Sequence, residues 1–414
     1  MESFAGRLAV VTGGGSGIGR ALVRQLAREG ASVAIIDLGR EPAEETARLA
    51  LADAPEGVRA TAHVANVADE ASLEAARDEI LAAHGAESIN LLFNNAGIAG
   101  AGSMIADDRT AWERVFDICW GGVYLGCRVF LPSLIASDAG YIVNTASINA
   151  VWPKHGAGMP STSYGSAKYA VKGFSEALIE DLRTHAPHVR VAVVMPGTVS
   201  TNLGENSAKV IGAENFIRSS ADSRARLAAL GAPAEALDDD QVEAVLARLS
   251  PAMTELGYVI TVEEAAATIL RGVHEGRWRI ITGVDANRLD RLVRADPEAA
   301  FDDGGTSLTP PWLPTLVTLG VLIDPEAVGA GSFGFAVDAD QPVGMRVDEA
   351  GAVFTKEPDR DAAATVALDQ ATLHRLVARE ATVAEAIDTG TLRISGDRAA
   401  VERLFAALPV DARA

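Results

Sequence analysis

Leu8-Ala9-Val10-Val11-Thr12-Gly13-Gly14-Gly15-Ser16-Gly17-Ile18-Gly19 is the stretch that decides the fold. A short apolar run enters a glycine-rich turn, and a helical pattern begins at Gly17, so the segment reads as strand, tight turn, helix. Without Cβ atoms the turn can bend sharply and let its backbone approach a diphosphate, whose charge then sits at the helix N-terminus. The next strand closes on Asp37, an acid placed to accept hydroxyl protons from a ribose and to repel a 2′-phosphate. Gly13, Gly15, Ser16, Gly17, Ile18, Gly19 and Asp37 are therefore candidate dinucleotide contacts. The expected cofactor is NAD, since no basic residue lies inside the turn; Arg40 is near enough to keep NADP open.

Outward from the turn, apolar runs at 7–12, 32–37, 58–64, 89–93, 141–146 and 189–195 alternate with helical patterns at 17–29, 42–52, 70–84, 108–136 and 164–185. Nearly continuous apolar strands between helices are the pattern of a parallel sheet covered on both faces, so the fold class expected is α/β, a Rossmann-type doubly wound sheet. Residues 202–258 are helical, mixed in polarity and broken by glycine and proline, which suggests a helical flap over the site. Alternation resumes with a helix at 262–274, a strand at 279–282 and a helix at 287–293. Residues 297–310 read as a linker. Beyond it, 333–337, 343–347 and 352–355 look like an antiparallel meander followed by two or three helices, so 311–414 form a small α+β domain and 1–296 the larger one.

The 414 residues exceed what one core usually organises, about 250–300. With 36 basic and 56 acidic residues the net charge is −20, which argues against nucleic acid or an anionic membrane surface as partner. The N-terminus lacks a signal-peptide core, and no run approaches about 18 uninterrupted apolar residues, so neither export nor a membrane span is expected and a cytoplasmic location is the default. Only Cys119 and Cys127 occur. On one helix they stand about 12 Å apart, too far for a disulfide, and no metal-ligand spacing is visible.

Tyr164-Gly165-Ser166-Ala167-Lys168 is the motif that carries chemistry. Residues i and i+4 share a helix face, so the Lys168 ammonium can sit beneath the Tyr164 phenol and draw its pKa down from about 10. Ser147 closes the fifth strand in Asn144-Thr145-Ala146-Ser147. Together with Gly-x-x-x-Gly-x-Gly, Asn94-Asn95-Ala96-Gly97 and Pro196-Gly197-Thr198-Val199-Ser200-Thr201, this set resembles the short-chain dehydrogenase/reductase family over roughly residues 5–295. The resemblance implies hydride exchange between a nicotinamide and an alcohol or ketone. Tyr164 would be the proton acceptor or donor, Ser147 would hold the substrate oxygen, and Lys168 would also bind the ribose. It further implies cofactor contacts from Asn66 and Val67, from Asn94, Ala96 and Gly97, and from Pro196, Gly197, Val199 and Thr201. Asn66 stands where the family usually has Asp, and Cys119 where it often has an asparagine that supports a proton-relay water. Asn149 is a candidate helper for that loss, its other reading being a loop residue that bonds its own backbone. The loop between Ser147 and Tyr164 is long; its Trp152, Pro153 and Lys154 are expected to wall the substrate pocket, with His155 a surface residue.

The helix at 115–135 is apolar on nearly all sides, and the family buries this helix and the Tyr164 helix between subunits, so a homodimer or homotetramer is expected. Residues 363–373 and 384–397 are similar to the later half of a sterol-carrier-protein-2-like domain, which implies a lipophilic alcohol or ketone as substrate. Two alternatives stay open: a catalytically weak NAD-binding lipid carrier or scaffold, and an NADPH-dependent ketoreductase.

Overall fold

The computed structural model describes residues 1–100, 102–106, 108–154, 161–204, 206–207, 223–301, 310–338 and 340–409, so His155 and most of the expected linker lie outside the described residues. The chain divides into two compact units, Met1–Arg218 with Ile260–Thr306, and Ser219–Val259 with Ser307–Ala414.

The first unit holds β1 (Leu8–Thr12), β2 (Ser32–Asp37), β3 (Ala60–Val64), β4 (Leu91–Asn94), β5 (Gly140–Thr145), β6 (Val189–Pro196) and β7 (Arg279–Thr282). They form one parallel sheet in the order β3-β2-β1-β4-β5-β6-β7. Its helices are α1 (Gly17–Arg28), α2 (Arg40–Ala52), α3 (Glu70–His84), α4 (Arg109–Phe116), α5 (Gly122–Ile135) and α6 (Thr162–His185). After α7 (Ser223–Ala229) and α8 (Asp239–Glu255) of the second unit, α9 (Val262–His274) and α10 (Val284–Ala295) complete it. Side chains along β1 alternate between two cores. Leu8 and Val10 pack with α3, α5 and α6, whereas Ala9 and Val11 pack with α1, α2 and α9. That two-sided burial is why these strands are apolar throughout. The chain runs outward from β1 to β3 and then crosses back to β4, so a crevice opens beyond the carboxyl ends of β1 and β4, where doubly wound sheets take their ligands.

Polar side chains fix how the helices sit on the sheet. Asn94 at the end of β4 donates from Nδ2 to Asn144 Oδ1 of β5 at 2.9 Å, and Asn144 donates to Ser175 Oγ of α6 at 3.0 Å. Gly126 lets α5 close on this ladder: a Cβ there would lie 2.2 Å from Asn94 Oδ1.

The continuous helix expected over 108–136 is interrupted, because a π-helical turn, Asp117–Gly121, joins α4 to α5. One extra residue in the turn carries Cys119 inward, where it is fully buried. The combined helix Arg109–Ile135 is long and apolar enough to cross a membrane by length and composition, although scattered polar residues interrupt its apolar run. Half of its most apolar stretch is buried inside the unit.

The second unit adds α11 (Leu313–Leu322), α12 (Pro325–Val328), β8 (Gly331–Val337), β9 (Val343–Asp348), β10 (Gly351–Thr355), β11 (Ala364–Leu368), α13 (Gln370–Val377), α14 (Val383–Asp388), β12 (Leu392–Gly396) and α15 (Arg398–Ala406). Its sheet runs β10-β9-β8-β11-β12, with β8 and β11 parallel and the other pairs antiparallel. The meander is present as expected, but β11 and β12 replace part of the helical stretch expected after it. Ala364–Leu368 mixes two alanines with the β-branched Thr365 and Val366; its burial alternates residue by residue, and tertiary context decides such a segment.

The expected flap is also redrawn. Residues 219–259 group with the second unit because their polar and aromatic groups find partners there. Thr315 Oγ1 donates to Gly231 O at 3.1 Å, Phe354 N donates to Glu255 Oε2 at 3.0 Å, and Tyr258 meets Trp312 edge-on at 6.3 Å.

Gly126→Ala is expected to destabilise the first unit by up to about 2 kcal/mol, since an overpacking cost against Asn94 of about 1–3 kcal/mol outweighs the roughly 1 kcal/mol that alanine gains over glycine in a helix. Urea unfolding followed by circular dichroism measures it; an unchanged or higher midpoint would show that α5 is not held by this close approach.

Candidate functional site

A cleft of about 700 Å³ opens at the switch point of the first unit. Its floor begins with the glycine turn. Gly13 adopts φ +63°, and a Cβ there would meet Ala96 Cα at 2.8 Å. Thr12 locks the two neighbouring strand ends together: its Oγ1 accepts from Asn95 N and Ala96 N, each at 3.0 Å. Gly15, Ser16, Gly17 and Ile18 line the cleft. Ser16 caps α1 with extended backbone and no side-chain cap bond, so the first-turn N–H groups of α1 face an anion site without a competing protein oxygen. Gly19 serves otherwise: it does not line the cleft, and a Cβ there would lie 2.2 Å from Gly13 O, so its part is to let α1 close on the turn.

Asp37 is held rigidly, accepting from Gly15 N at 2.9 Å and Gly39 N at 3.1 Å. Arg20 also lines the cleft but is engaged, donating to Thr46 Oγ1 at 2.9 Å and to Gly15 O. Arg40 points away, exposed and 3.6 Å from Glu44. Asn66 and Val67 line the cleft as expected. Asn66 Oδ1 accepts from Ala68 N at 3.1 Å, which leaves it one lone pair for a ligand. Ala96 and Gly97 are in place too. Asn94 is not: it is buried in the β4–β5–α6 ladder, and its neighbour Asn95 lines the cleft instead. Strand alternation explains the correction, because consecutive residues at the end of β4 face opposite sides. The open turn, the capless helix start and the fixed acid fit a dinucleotide.

At the other end Ser147, Tyr164 and Lys168 come together. Lys168 is 3% exposed; its Nζ donates to Thr145 O at 2.9 Å and lies 5.5 Å from the Tyr164 ring centre. Burial pushes the Tyr164 phenol well above its ordinary range, with the nearby Cys119 thiol adding to the rise, while a hydrogen bond with Ser147 draws it back. Burial lowers the Lys168 ammonium. The Cys119 thiol donates to Ile98 O at 3.2 Å. The bonds of Asn149 go to Ser147, Trp152 and Lys154, so it does not stand in for the missing amide beside Lys168.

Pro196, Gly197, Val199 and Thr201 line a further wall of the cleft, and Asn206, from the start of the expected flap, donates to Ser16 Oγ at 3.4 Å. This wall rests on a residue that the sequence reading did not single out. Asp285, at the start of α10, is 1% exposed and accepts from Thr198 N at 2.6 Å. Gly197 and Gly283 make room for it, since a Cβ on either would fall within 2.4 Å of Asp285 Oδ1. Burial raises its carboxyl pKa, offset in part by the bonds with Thr198. The two glycines flanking Asp285 in space are the only sequence signal, and they are 86 residues apart in sequence (197 to 283).

A short chain dehydrogenase family model matches residues 7–211, and an alkyl sulfatase C-terminal model matches residues 316–411. The SadH protein of Mycobacterium tuberculosis is 32% identical over 294 residues, which cover 71% of this chain and 92% of that one. Cyclohexanol dehydrogenase of an Acinetobacter species is 32% identical over 204 residues, 49% of this chain and 76% of its own. Among solved structures, a short chain dehydrogenase/reductase from Burkholderia phymatum in complex with NAD is 28% identical with a TM-score of 0.57. The match covers 74% of this chain and 99% of that one.

Asp285→Ala is expected to weaken NADH binding, read by nucleotide fluorescence, about 5- to 50-fold, the loss of a bond to a charged acceptor that holds the Thr198 segment. Asp285→Asn keeps an acceptor and should lose less. Unaltered affinity in Asp285→Ala would show that the segment holds itself.

Proposed function

The chain belongs to the short-chain dehydrogenase family, and from that premise we propose that it is an NAD(H)-dependent oxidoreductase interconverting a lipophilic secondary alcohol and its ketone. The observation that carries this reading is the meeting of the Ser147 hydroxyl, the Tyr164 phenol and the Lys168 ammonium in one cleft with the glycine turn and Asp37. A bound nicotinamide supplies the carbon that accepts or delivers hydride. Ser147 holds the substrate oxygen in hydrogen-bond reach of Tyr164. In oxidation Tyr164 takes the hydroxyl proton; in reduction it gives one. Lys168 is held 5.5 Å from the phenol ring centre, where an ammonium favours the phenolate that oxidation requires. NAD is favoured over NADP because Asp37 is fixed where a 2′-phosphate would fall, while Arg20 and Arg40 are both engaged elsewhere.

The name of the cyclohexanol-oxidising relative supports a secondary alcohol. The apolar class of the substrate rests on the sequence reading of the C-terminal residues as sterol-carrier-protein-2-like; the family model that matches residues 316–411 is that of alkyl sulfatase C-termini. Subunit pairing is part of the same proposal. Trp120, Tyr124 and Phe174 form an aromatic cluster across α5 and α6, and Tyr124 stays 41% exposed on that face. Light scattering should give a mass of two or four chains; a monomer would remove the pairing.

The test is turnover of a panel of cyclic and long-chain secondary alcohols with NAD and NADP. Rates with NAD are expected to exceed those with NADP, and Tyr164→Phe should lose at least about 10²-fold in turnover while still binding NADH. With the phenol pushed up, the oxidation rate should climb with pH from neutral into the alkaline range, because the proton-accepting form becomes more abundant; reduction needs the protonated phenol and should stay flat there. Tight binding of NADH without turnover of any panel member would favour the reading as a carrier.

A further inference from the structure

Ser147 is not an isolated hydroxyl. Asn149 N donates to Ser147 Oγ at 3.2 Å, and Ser147 Oγ donates to Asn149 Oδ1 at 3.2 Å. The orientation of that amide is fixed by its other end, where Nδ2 donates to Trp152 O at 3.2 Å and Lys154 O at 3.3 Å. An amide whose nitrogen sits between two carbonyls cannot flip without facing oxygen to oxygen, so Oδ1 must point at Ser147. Asn149 is 4% exposed and Ser147 7%, so water does not compete for these groups.

The two carbonyls are themselves pinned. Trp152 Nε1 donates to Ala300 O at 2.8 Å, a bond buried at both ends. Lys154 Nζ donates to Phe301 O at 2.9 Å and lies 5.4 Å from the Phe301 ring centre. One unbroken relay of hydrogen bonds thus runs from Ser147 through Asn149 and the Trp152–Lys154 turn to Ala300 and Phe301. The family model stops at residue 211, well short of that segment.

We propose that Asn149 is a positioning residue that sets the rotamer of Ser147, and that Ala300–Phe301 is the outer brace holding Asn149 in register. This rests on the reading of Ser147 as the group that holds the substrate oxygen. A serine hydroxyl rotates freely unless something selects its direction. Here the Asn149 N–H fills one acceptor position of Ser147 Oγ and fixes where that oxygen sits, while Oδ1 holds the hydroxyl proton at rest and yields it when Tyr164 or the substrate oxygen needs a donor. The segment that leaves the dehydrogenase sheet is then part of the catalytic unit rather than a tether alone.

A double-mutant cycle on the full chain tests this, with the alcohol that the wild type turns over best. Asn149→Ala is expected to lower kcat about 10- to 100-fold, with KM and NADH affinity within about two-fold of wild type. In a Ser147→Ala background the same change should cost little further, because the residue it positions is gone. Trp152→Phe keeps the ring and loses the bond to Ala300 O. It should lower kcat about 3- to 10-fold, again only when Ser147 is present. Should Asn149→Ala fail to fold by its unfolding midpoint, Trp152→Phe carries the test alone. An equal loss with and without Ser147, or a parallel fall in NADH affinity, overturns the proposal. So does unchanged kcat in Trp152→Phe for the brace. A wild type that turns over nothing sinks the functional reading as well, whereas an active wild type indifferent to these changes sinks this proposal alone.

Discussion

The first unit is arranged around a buried ammonium. Lys168 is almost wholly enclosed and donates to the carbonyl of Thr145, a neutral partner. Removing such a group from water costs several kcal/mol when no ion pair compensates, and burial accordingly lowers its pKa. The protein tolerates the cost because the charge faces a cleft and a phenol. Placing it requires α6 at a fixed height above β5, and the Asn94–Asn144–Ser175 ladder sets that height with side-chain bonds rather than apolar contact alone. Bonds of that kind hold a register that interchangeable methyl groups would let slide. Gly126 then matters for what it lacks, since it admits α5 to the ladder.

What could be read directly from the sequence was whatever is local. The strand, glycine turn and helix of residues 8–28, and Tyr164 four residues before Lys168, are patterns in which neighbours in the chain are neighbours in space, and both are where they were expected. Asn94 was misassigned because which of two adjacent asparagines faces the cleft depends on where the strand stops alternating, a single residue's difference. The inward turn of Cys119 depends on one extra residue in a helical turn, and nothing in Asp117-Ile118-Cys119-Trp120-Gly121 announces it. Asp285 could not be read at all, since an aspartate at a helix start normally signals a cap. Only its approach to the Gly197–Thr198 segment, set by the pairing of β6 with β7, gives it the Thr198 N–H.

The second unit shows the same limit at larger scale. Residues 219–259 follow the sixth strand, and proximity in sequence suggested a cover for the site. Their helix α8 packs with α11 and β10, tens of residues downstream, where Glu255 accepts from Phe354 N and Gly231 O accepts from Thr315. Strand β11 was obscured for a different reason. Only Thr365 and Val366 of its five residues favour a strand, and the segment becomes one because β8 and β12 flank it on both sides.

The cleft that results is chemically directional. One end carries the fixed carboxylate of Asp37, the middle presents the open N–H groups of α1, and the far end holds the Lys168 ammonium beneath Tyr164. A dinucleotide carries hydroxyls, then two phosphates, then a second ribose and a ring, so only one orientation matches all three stations in turn. Reversal would set the diphosphate against the same helix but leave the nicotinamide at Asp37, remote from any proton donor. Placing an acid and a base at opposite ends of an anion-binding turn therefore specifies the polarity of the ligand as well as its class, and this matters because hydride and proton must be exchanged at the same carbon–oxygen pair.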